Sequence, residues 1–154
     1  MVRGSIFLTI IVIGGLIMTL LENESPAQDE KIRYAGVAGS FYPGDSTKLS
    51  QSVGKLLNEA KPPVIEGRLI GLISPHAGYV YSGHVAAPAY HLLKDKSIER
   101  VVVISPSHIV AFEGASVYNG TGYQTPLGTI PVDQNFCKQL ADQHPAIALS
   151  DQGH

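Results

Sequence analysis

The sequence has one cysteine, little net charge and only one long apolar run. A single thiol, Cys137, excludes an internal disulfide bond and a zinc site built from paired cysteines. Eleven Lys and Arg residues against 13 Asp and Glu residues give a formal net charge of −2. This balance argues against a general nucleic-acid-binding surface, which needs clustered basic side chains. The 154 residues, 44% of them apolar, are enough for one globular domain and too few for two.

The long apolar run, residues 6–21, lies in an N-terminal segment of different character. Arg3 precedes the run, and a polar stretch with small residues at Ser25 and Ala27 follows it. This order is typical of a secretory signal peptide, and the run is shorter than the roughly 20 residues that span a bilayer comfortably. We therefore predict that residues 1–27 are a signal peptide and that the protein is exported to the periplasm or the extracellular space. An uncleaved membrane anchor is the alternative, with membrane contact through residues 6–21 only.

Residues 28–154 carry the folded part, and two short apolar runs indicate its architecture. Residues 69–73 and 101–104 are apolar without alternation, as in strands that are buried on both faces of a parallel sheet. A helix is predicted between them over residues 82–94, with Pro88 causing a kink or marking the true start. Strand, helix and strand together have the size of a βαβ unit.

The sequence also predicts helices and extended segments before and after this unit. A helix is predicted to begin at Asp45 or Ser46 and to end before Pro62, and Asp133 is predicted to cap a last helix. Two extended segments, at residues 115–118 and 129–132, flank a turn that begins at Asn119-Gly120.

Both apolar runs end in the same way. The first continues into Ser74-Pro75-His76, and the second into Ser105-Pro106-Ser107-His108. Proline ends a strand because it has no N–H to donate, so each histidine is expected at the carboxyl edge of a sheet, where α/β folds bind ligands. Two such imidazoles on neighbouring strands can bind one metal ion. Spacing alone also allows two unrelated loop histidines, since no third ligand is identifiable.

Other residues that attract attention have simpler interpretations. Cys137 lies on the apolar side of its helix, which favours a buried structural thiol. His84 and His91 are two helical turns apart and cannot share an ion, and His144 is read as a surface residue.

Several motifs resemble those of the Memo family, in the same order and over residues 33–154. The motifs are Tyr34-Ala35-Gly36, Gly39-Ser40-Phe41-Tyr42-Pro43, Pro75-His76-Ala77-Gly78-Tyr79 with Tyr81-Ser82-Gly83, Pro106-Ser107-His108, and Thr125-Pro126-Leu127-Gly128 with Asp133. The resemblance implies a three-layer α/β/α fold with a mostly parallel central sheet, as in class III extradiol dioxygenases. Family members are nearly twice as long, so this chain is expected to be a fragment, incomplete at the C-terminus.

The resemblance also implies a metal site. His76 and His108 match the family's two histidine ligands of a divalent or redox-active ion, with iron or copper expected. The third ligand is usually a cysteine in Memo proteins and a glutamate in the dioxygenases, and it is missing here. The residues expected to line the pocket are Gly78, Tyr79, Tyr81 and Ser107.

Three functions are consistent with this interpretation. The first is a metal-binding Memo-like protein in a redox or protein-maturation pathway, for which the resemblance implies a radical-SAM protein and a further small protein as partners (the AmmeMemoRadiSam system). The second is a non-heme iron dioxygenase acting on a catechol-like substrate. The third is a peptide-binding module. The third ligand discriminates, because a glutamate favours oxygen chemistry and a cysteine favours softer or redox-active ions.

Overall fold

The computed structural model describes residues 30–154, which form a mixed α/β structure with three helices and five short strands. The predicted signal peptide or anchor, including the apolar run of residues 6–21, lies outside these residues. Within residues 30–154, no helix has the length and apolar character needed to cross a bilayer. The core is small, and its buried apolar side chains are Leu49, Ala87 and Tyr118.

Helix α1, Ser46–Glu59, begins where the sequence predicts. Asp45 is the N-cap, and its carboxylate accepts a hydrogen bond from the Lys48 amide at 2.9 Å. Leu49 is 3% exposed and lies on the apolar stripe of the helix. The helix ends at Ala60, before the Pro62-Pro63 pair that cannot continue it.

Helix α2, Tyr79–His91, begins three residues earlier than predicted. The amides of Tyr81 and Ser82 donate to the Gly78 carbonyl, and the Ser82 hydroxyl donates to the Ala77 carbonyl at 2.9 Å. These bonds start the helix within the Gly78-Tyr79 motif. Pro88 therefore lies inside the helix and is not its first residue.

Helices α1 and α2 pack against each other through small residues and one histidine. A Cβ atom on Gly83 would lie 2.9 Å from Leu56 Cδ1, so the two helices approach closely at this glycine. His91 donates an Nδ1–H hydrogen bond to the Leu57 carbonyl at 2.8 Å, in the last part of α1. His91 therefore has a packing role between the two helices.

The five strands form two small sheets. In the first, β1 (Ile32–Arg33) pairs in parallel with β3 (Gly122–Thr125), and β3 pairs antiparallel with β4 (Gly128–Pro131). In the second, β2 (Ala115–Val117) pairs in parallel with β5 (Ile147–Leu149). The hairpin turn is Pro126-Leu127, so the predicted Asn119-Gly120 turn instead connects the two sheets.

Helix α3, Gln134–Gln143, contacts β5 and β2 and begins at the predicted N-cap, Asp133. The carboxylate of Asp133 accepts a hydrogen bond from the Phe136 amide at 2.9 Å and a further pair from the Arg100 guanidinium, at 2.9 and 2.6 Å. Arg100 also lies over the Phe136 ring, 4.2 Å from its centroid. These contacts fix the beginning of the apolar run at residues 101–104.

The strand assignments for the two apolar runs differ from the structure. Residues 69–73 and 101–104 have no regular secondary structure, and neither run pairs with another strand within residues 30–154. Their side chains are largely exposed, with Ile73 at 101% and Ile104 at 92%. A strand buried on both faces needs neighbours on both edges and both faces, and the described residues do not supply them.

We expect Gly120→Ala to lower the free energy of unfolding by about 2 kcal/mol or more. A Cβ atom there would lie 2.3 Å from the Tyr118 ring and 2.5 Å from the Lys31 carbonyl oxygen, and neither group can move without disturbing β1. Urea unfolding followed by circular dichroism measures the change. The matched control is Gly54→Ala in α1, where the added methyl group meets open space and alanine favours the helix by about 1 kcal/mol. Equal effects of the two substitutions would contradict the packing argument.

A second expectation concerns acid stability. The Phe136 amide and the Arg100 guanidinium hold the pKa of Asp133 below its ordinary value. Stabilisation from this carboxylate is therefore present above the unfolded-state pKa of about 3.9 and is lost as the pH falls through the lowered, folded-state pKa.

Asp133→Asn should accordingly be less stable than the wild type near neutral pH, and the difference should disappear as the pH falls through the lowered pKa of Asp133. Thermal unfolding at a series of pH values measures it. Asp142→Asn, on the same helix, serves as the control. A difference that stays constant with pH would show that Asp133 acts without its charge.

Candidate metal centre

The two histidines that follow the apolar runs lie against each other, although 32 residues separate them in the sequence. The Nε2 atoms of His76 and His108 are 3.2 Å apart, the ring centroids are 5.3 Å apart and the rings are tilted by 37°. A hydrogen bond at this distance requires one Nε2 to carry a proton and donate and the other to accept.

This geometry fits two ligands of one metal ion. With nitrogen–metal bonds of about 2.1 Å, two nitrogens lie about 3.4 Å apart on a tetrahedral ion and about 3.0 Å apart on an octahedral one. The separation of 3.2 Å lies between these values. Both side chains are exposed, so an ion can reach the two nitrogens from solvent. Each ligating nitrogen must offer its lone pair, so metal binding would replace the hydrogen bond between the two Nε2 atoms.

Backbone contacts hold the segment that carries His76. The Tyr79 amide donates to the Phe41 carbonyl at 2.8 Å, and a Cβ atom on Gly78 would lie 3.3 Å from the same oxygen. Phe41 itself belongs to a tight turn, in which the Gly39 amide donates to the Tyr42 carbonyl at 2.8 Å. The motif of residues 39–43 and the motif of residues 75–79 therefore pack on one another beside His76.

The segment that carries His108 is an irregular loop. The Ser107 hydroxyl oxygen accepts hydrogen bonds from the amides of Val110 at 3.2 Å and Ile109 at 3.4 Å, which closes a turn around His108. Ser107 thus shapes the loop that presents the histidine.

The other residues expected to line the pocket have different positions. Tyr79 lines a cavity of about 420 Å³ whose walls include Tyr42 and Ile130 but neither histidine. Its ring lies 5.6 Å from that of Tyr42, and burial is the main cause that raises its phenol pKa. Tyr81 is 79% exposed on the outer side of α2. Gly78 provides close backbone packing, as described above.

Residues 30–154 contain no cluster of three or more His, Cys, Asp or Glu side chains placed to hold a metal ion. Cys137 is partly buried on α3. Its burial, and to a smaller extent the nearby Asp133 carboxylate, raises the pKa of its thiol, which disfavours the thiolate that a metal needs.

The imidazole of His154 forms hydrogen bonds with the Tyr123 hydroxyl and the Ser116 carbonyl. That contact, and the packing of Gly153 on Phe112, had no signal in the sequence, because each joins residues far apart in the chain.

The chain matches the family of Memo-like proteins over residues 33–154. A relative in Caenorhabditis elegans, a protein memo-1 homolog, is 39% identical over 111 residues, which cover 72% of this chain and 31% of the relative. A MEMO1 family protein of Nitrosopumilus maritimus is 32% identical over 80% of this chain and 46% of its own length. Another, from Methanothermobacter thermautotrophicus, is 35% identical over 80% of this chain and 47% of its own length. The chain thus spans about a third to a half of these relatives.

Proposed function

This chain belongs to the family of Memo-like proteins, and we propose on that basis, and from its paired histidines, that it binds a divalent or redox-active metal ion through His76 and His108. The observation that carries the proposal is the 3.2 Å separation of the two Nε2 atoms, which matches two ligands of one ion. Iron and copper are the ions we propose, since imidazole suits both.

Different parts of the structure hold the two histidines in place. His76 extends from a segment fixed by the Phe41 backbone and by the first turn of α2, so it is the more rigid donor. His108 extends from the loop closed by Ser107. Both side chains are exposed, which would leave the remaining positions of an ion open to solvent. Bound there, iron or copper would supply Lewis-acid or electron-transfer chemistry.

We propose that the third ligand comes from outside residues 30–154. The relatives are two to three times as long as their matched regions, so a full-length family member has further side chains to offer. A cysteine in this place would support the role in a redox or protein-maturation pathway, with a radical-SAM protein and a further small protein as partners. A glutamate would support a non-heme iron dioxygenase. After export, an oxidising compartment would disfavour a free thiolate.

Metal titration tests the proposal. We expect the chain to bind Co²⁺, used as a spectroscopic substitute for Fe²⁺, in one site whose affinity falls in His76→Ala and in His108→Ala. The loss should exceed the roughly 10- to 100-fold that removal of an outer-shell partner typically costs, because a ligand itself is removed. Calorimetry and visible absorption both measure it.

The control variants are His84→Ala and His144→Ala, which remove imidazoles outside the histidine pair. They should bind Co²⁺ as the wild type does. Wild-type binding that survives the double substitution of His76 and His108 would rule out this site.

The finer architecture is part of the same proposal. We propose that residues 69–73 and 101–104 are central strands of a mostly parallel sheet in a three-layer α/β/α domain, as in class III extradiol dioxygenases. The support is their apolar exposure, since residues such as Ile73, Val103 and Ile104 are the type that a buried parallel strand uses. The part of the relatives that has no counterpart in this chain would then supply the neighbouring strands and the covering layer.

This architecture predicts a large accessible apolar surface on the chain by itself. Ile73→Lys combined with Val103→Lys should reduce the binding of an apolar fluorescent dye and reduce self-association in analytical ultracentrifugation. The control is Val64→Lys, an equally exposed valine outside the two runs, which should change neither. Residues 1–29 are the same in all variants, so their contribution cancels. Equal behaviour of the double variant and the wild type would contradict the proposed strands.

A further inference from the structure

We propose that residues 150–154, which we name the C-terminal brace, position His108 by fixing the loop of residues 107–112. This inference deepens the proposed function and rests on it, because the brace matters to metal binding only if His108 is a ligand. His154 and Gly153 are the positioning residues, and neither contacts the histidine pair directly.

The loop has little structure of its own. Ser107 closes one turn around His108, and residues 107–112 form neither helix nor strand. Ile109 is 76% exposed and adds little burial to hold the backbone. The partly buried side chains of the loop are Ser107 and Phe112, so these two determine where it rests. Both contact the brace.

Gly153 provides that contact. A Cβ atom at this position would lie 2.8 Å from Phe112 Cε1 and 3.3 Å from Ser107 Cβ, so the glycine backbone itself packs against both side chains. Its φ of +81° is also a conformation that favours glycine. Any other residue would both strain the brace and push Phe112 and Ser107 away. Since His108 directly follows Ser107, its imidazole would move with them.

His154 anchors the brace to both sheets. Its Nε2–H donates to the Ser116 carbonyl of β2 at 3.2 Å, and its Nδ1 accepts from the Tyr123 hydroxyl of β3 at 2.9 Å. One neutral tautomer satisfies both bonds, because a carbonyl can only accept. The imidazole also lies 5.3 Å from the Tyr118 ring, which is buried.

Ser150 and Asp151, at the beginning of the brace, also contact the strands or their flanking residues. The Ser150 amide donates to the Val117 carbonyl at 3.0 Å, which extends the pairing of β5 with β2. Asp151 forms an ion pair with Lys31, next to β1. A segment held by β1, β2 and β3 is rigid enough to locate a loop that has no secondary structure.

The test uses Gly153→Ala, His154→Ala and Tyr123→Phe, with Gln152→Ala as the control because Gln152 is exposed within the same brace. Tyr123→Phe removes only the hydroxyl that donates to His154 and keeps the ring, so it tests the anchor with the least disturbance of folding. We measure Co²⁺ affinity and also the hydrogen exchange, in the metal-free protein, of the Ile109 and Val110 amides, which donate to the Ser107 hydroxyl oxygen. Exchange of Leu49 in α1 reports global stability.

The expected result is a roughly 10- to 100-fold loss of Co²⁺ affinity in Gly153→Ala and His154→Ala, as for other groups that orient a ligand. Tyr123→Phe should show a smaller loss in the same direction. In all three variants the loop amides should exchange faster while Leu49 does not, and Gln152→Ala should match the wild type.

The brace is ruled out if the loop amides exchange as in the wild type, or if they accelerate only together with Leu49, since that would show general destabilisation. A wild-type chain that binds no Co²⁺ would end the proposed function, while faster loop exchange in the same variants would still establish the brace. The two failures are therefore distinguishable.

Discussion

The backbone carbonyl and ammonium group of Lys31 connect parts of the chain that are distant in sequence. Its carbonyl accepts hydrogen bonds from the Thr121 amide at 2.8 Å and from the Tyr118 hydroxyl at 3.2 Å. Its Nζ donates to Asn119 at 2.7 Å and pairs with Asp151. The close approach of Gly120 makes these contacts possible. Because β1 has only two residues, this network reinforces its short ladder with β3 and also joins it to the connection between β2 and β3 and to the C-terminal brace.

Backbone pairing explains the contrast between the ordered and the irregular parts of the chain. The five strands all have partners, and Tyr118, which directly follows β2, belongs to the small core. The most apolar runs, residues 69–73 and 101–104, have none within residues 30–154 and are exposed. A strand gains stability from its neighbours and not from its own composition, so apolar character alone does not place it in a sheet. The same runs carry the histidines at their ends.

The candidate metal centre consequently depends on contacts from outside those runs. His76 is held by the Phe41 carbonyl through the start of α2, and His108 is held by a loop that packs on Gly153. The two histidines meet at 3.2 Å even though no ladder joins the segments before them. Distant, well-anchored backbone contacts can therefore bring two histidines together where regular secondary structure does not.

Local chemistry in the sequence determined the helix caps at Asp45 and Asp133, because an Asp side chain reaches an amide three residues away. It also gave enough ordered motifs to indicate the family, which the match over residues 33–154 confirms. Only the tertiary structure decided that α2 begins at Tyr79, that Pro126-Leu127 forms the hairpin turn and that His154 binds Tyr123. Strand partners and side-chain contacts join residues far apart in the chain, and a short apolar run does not specify its partner.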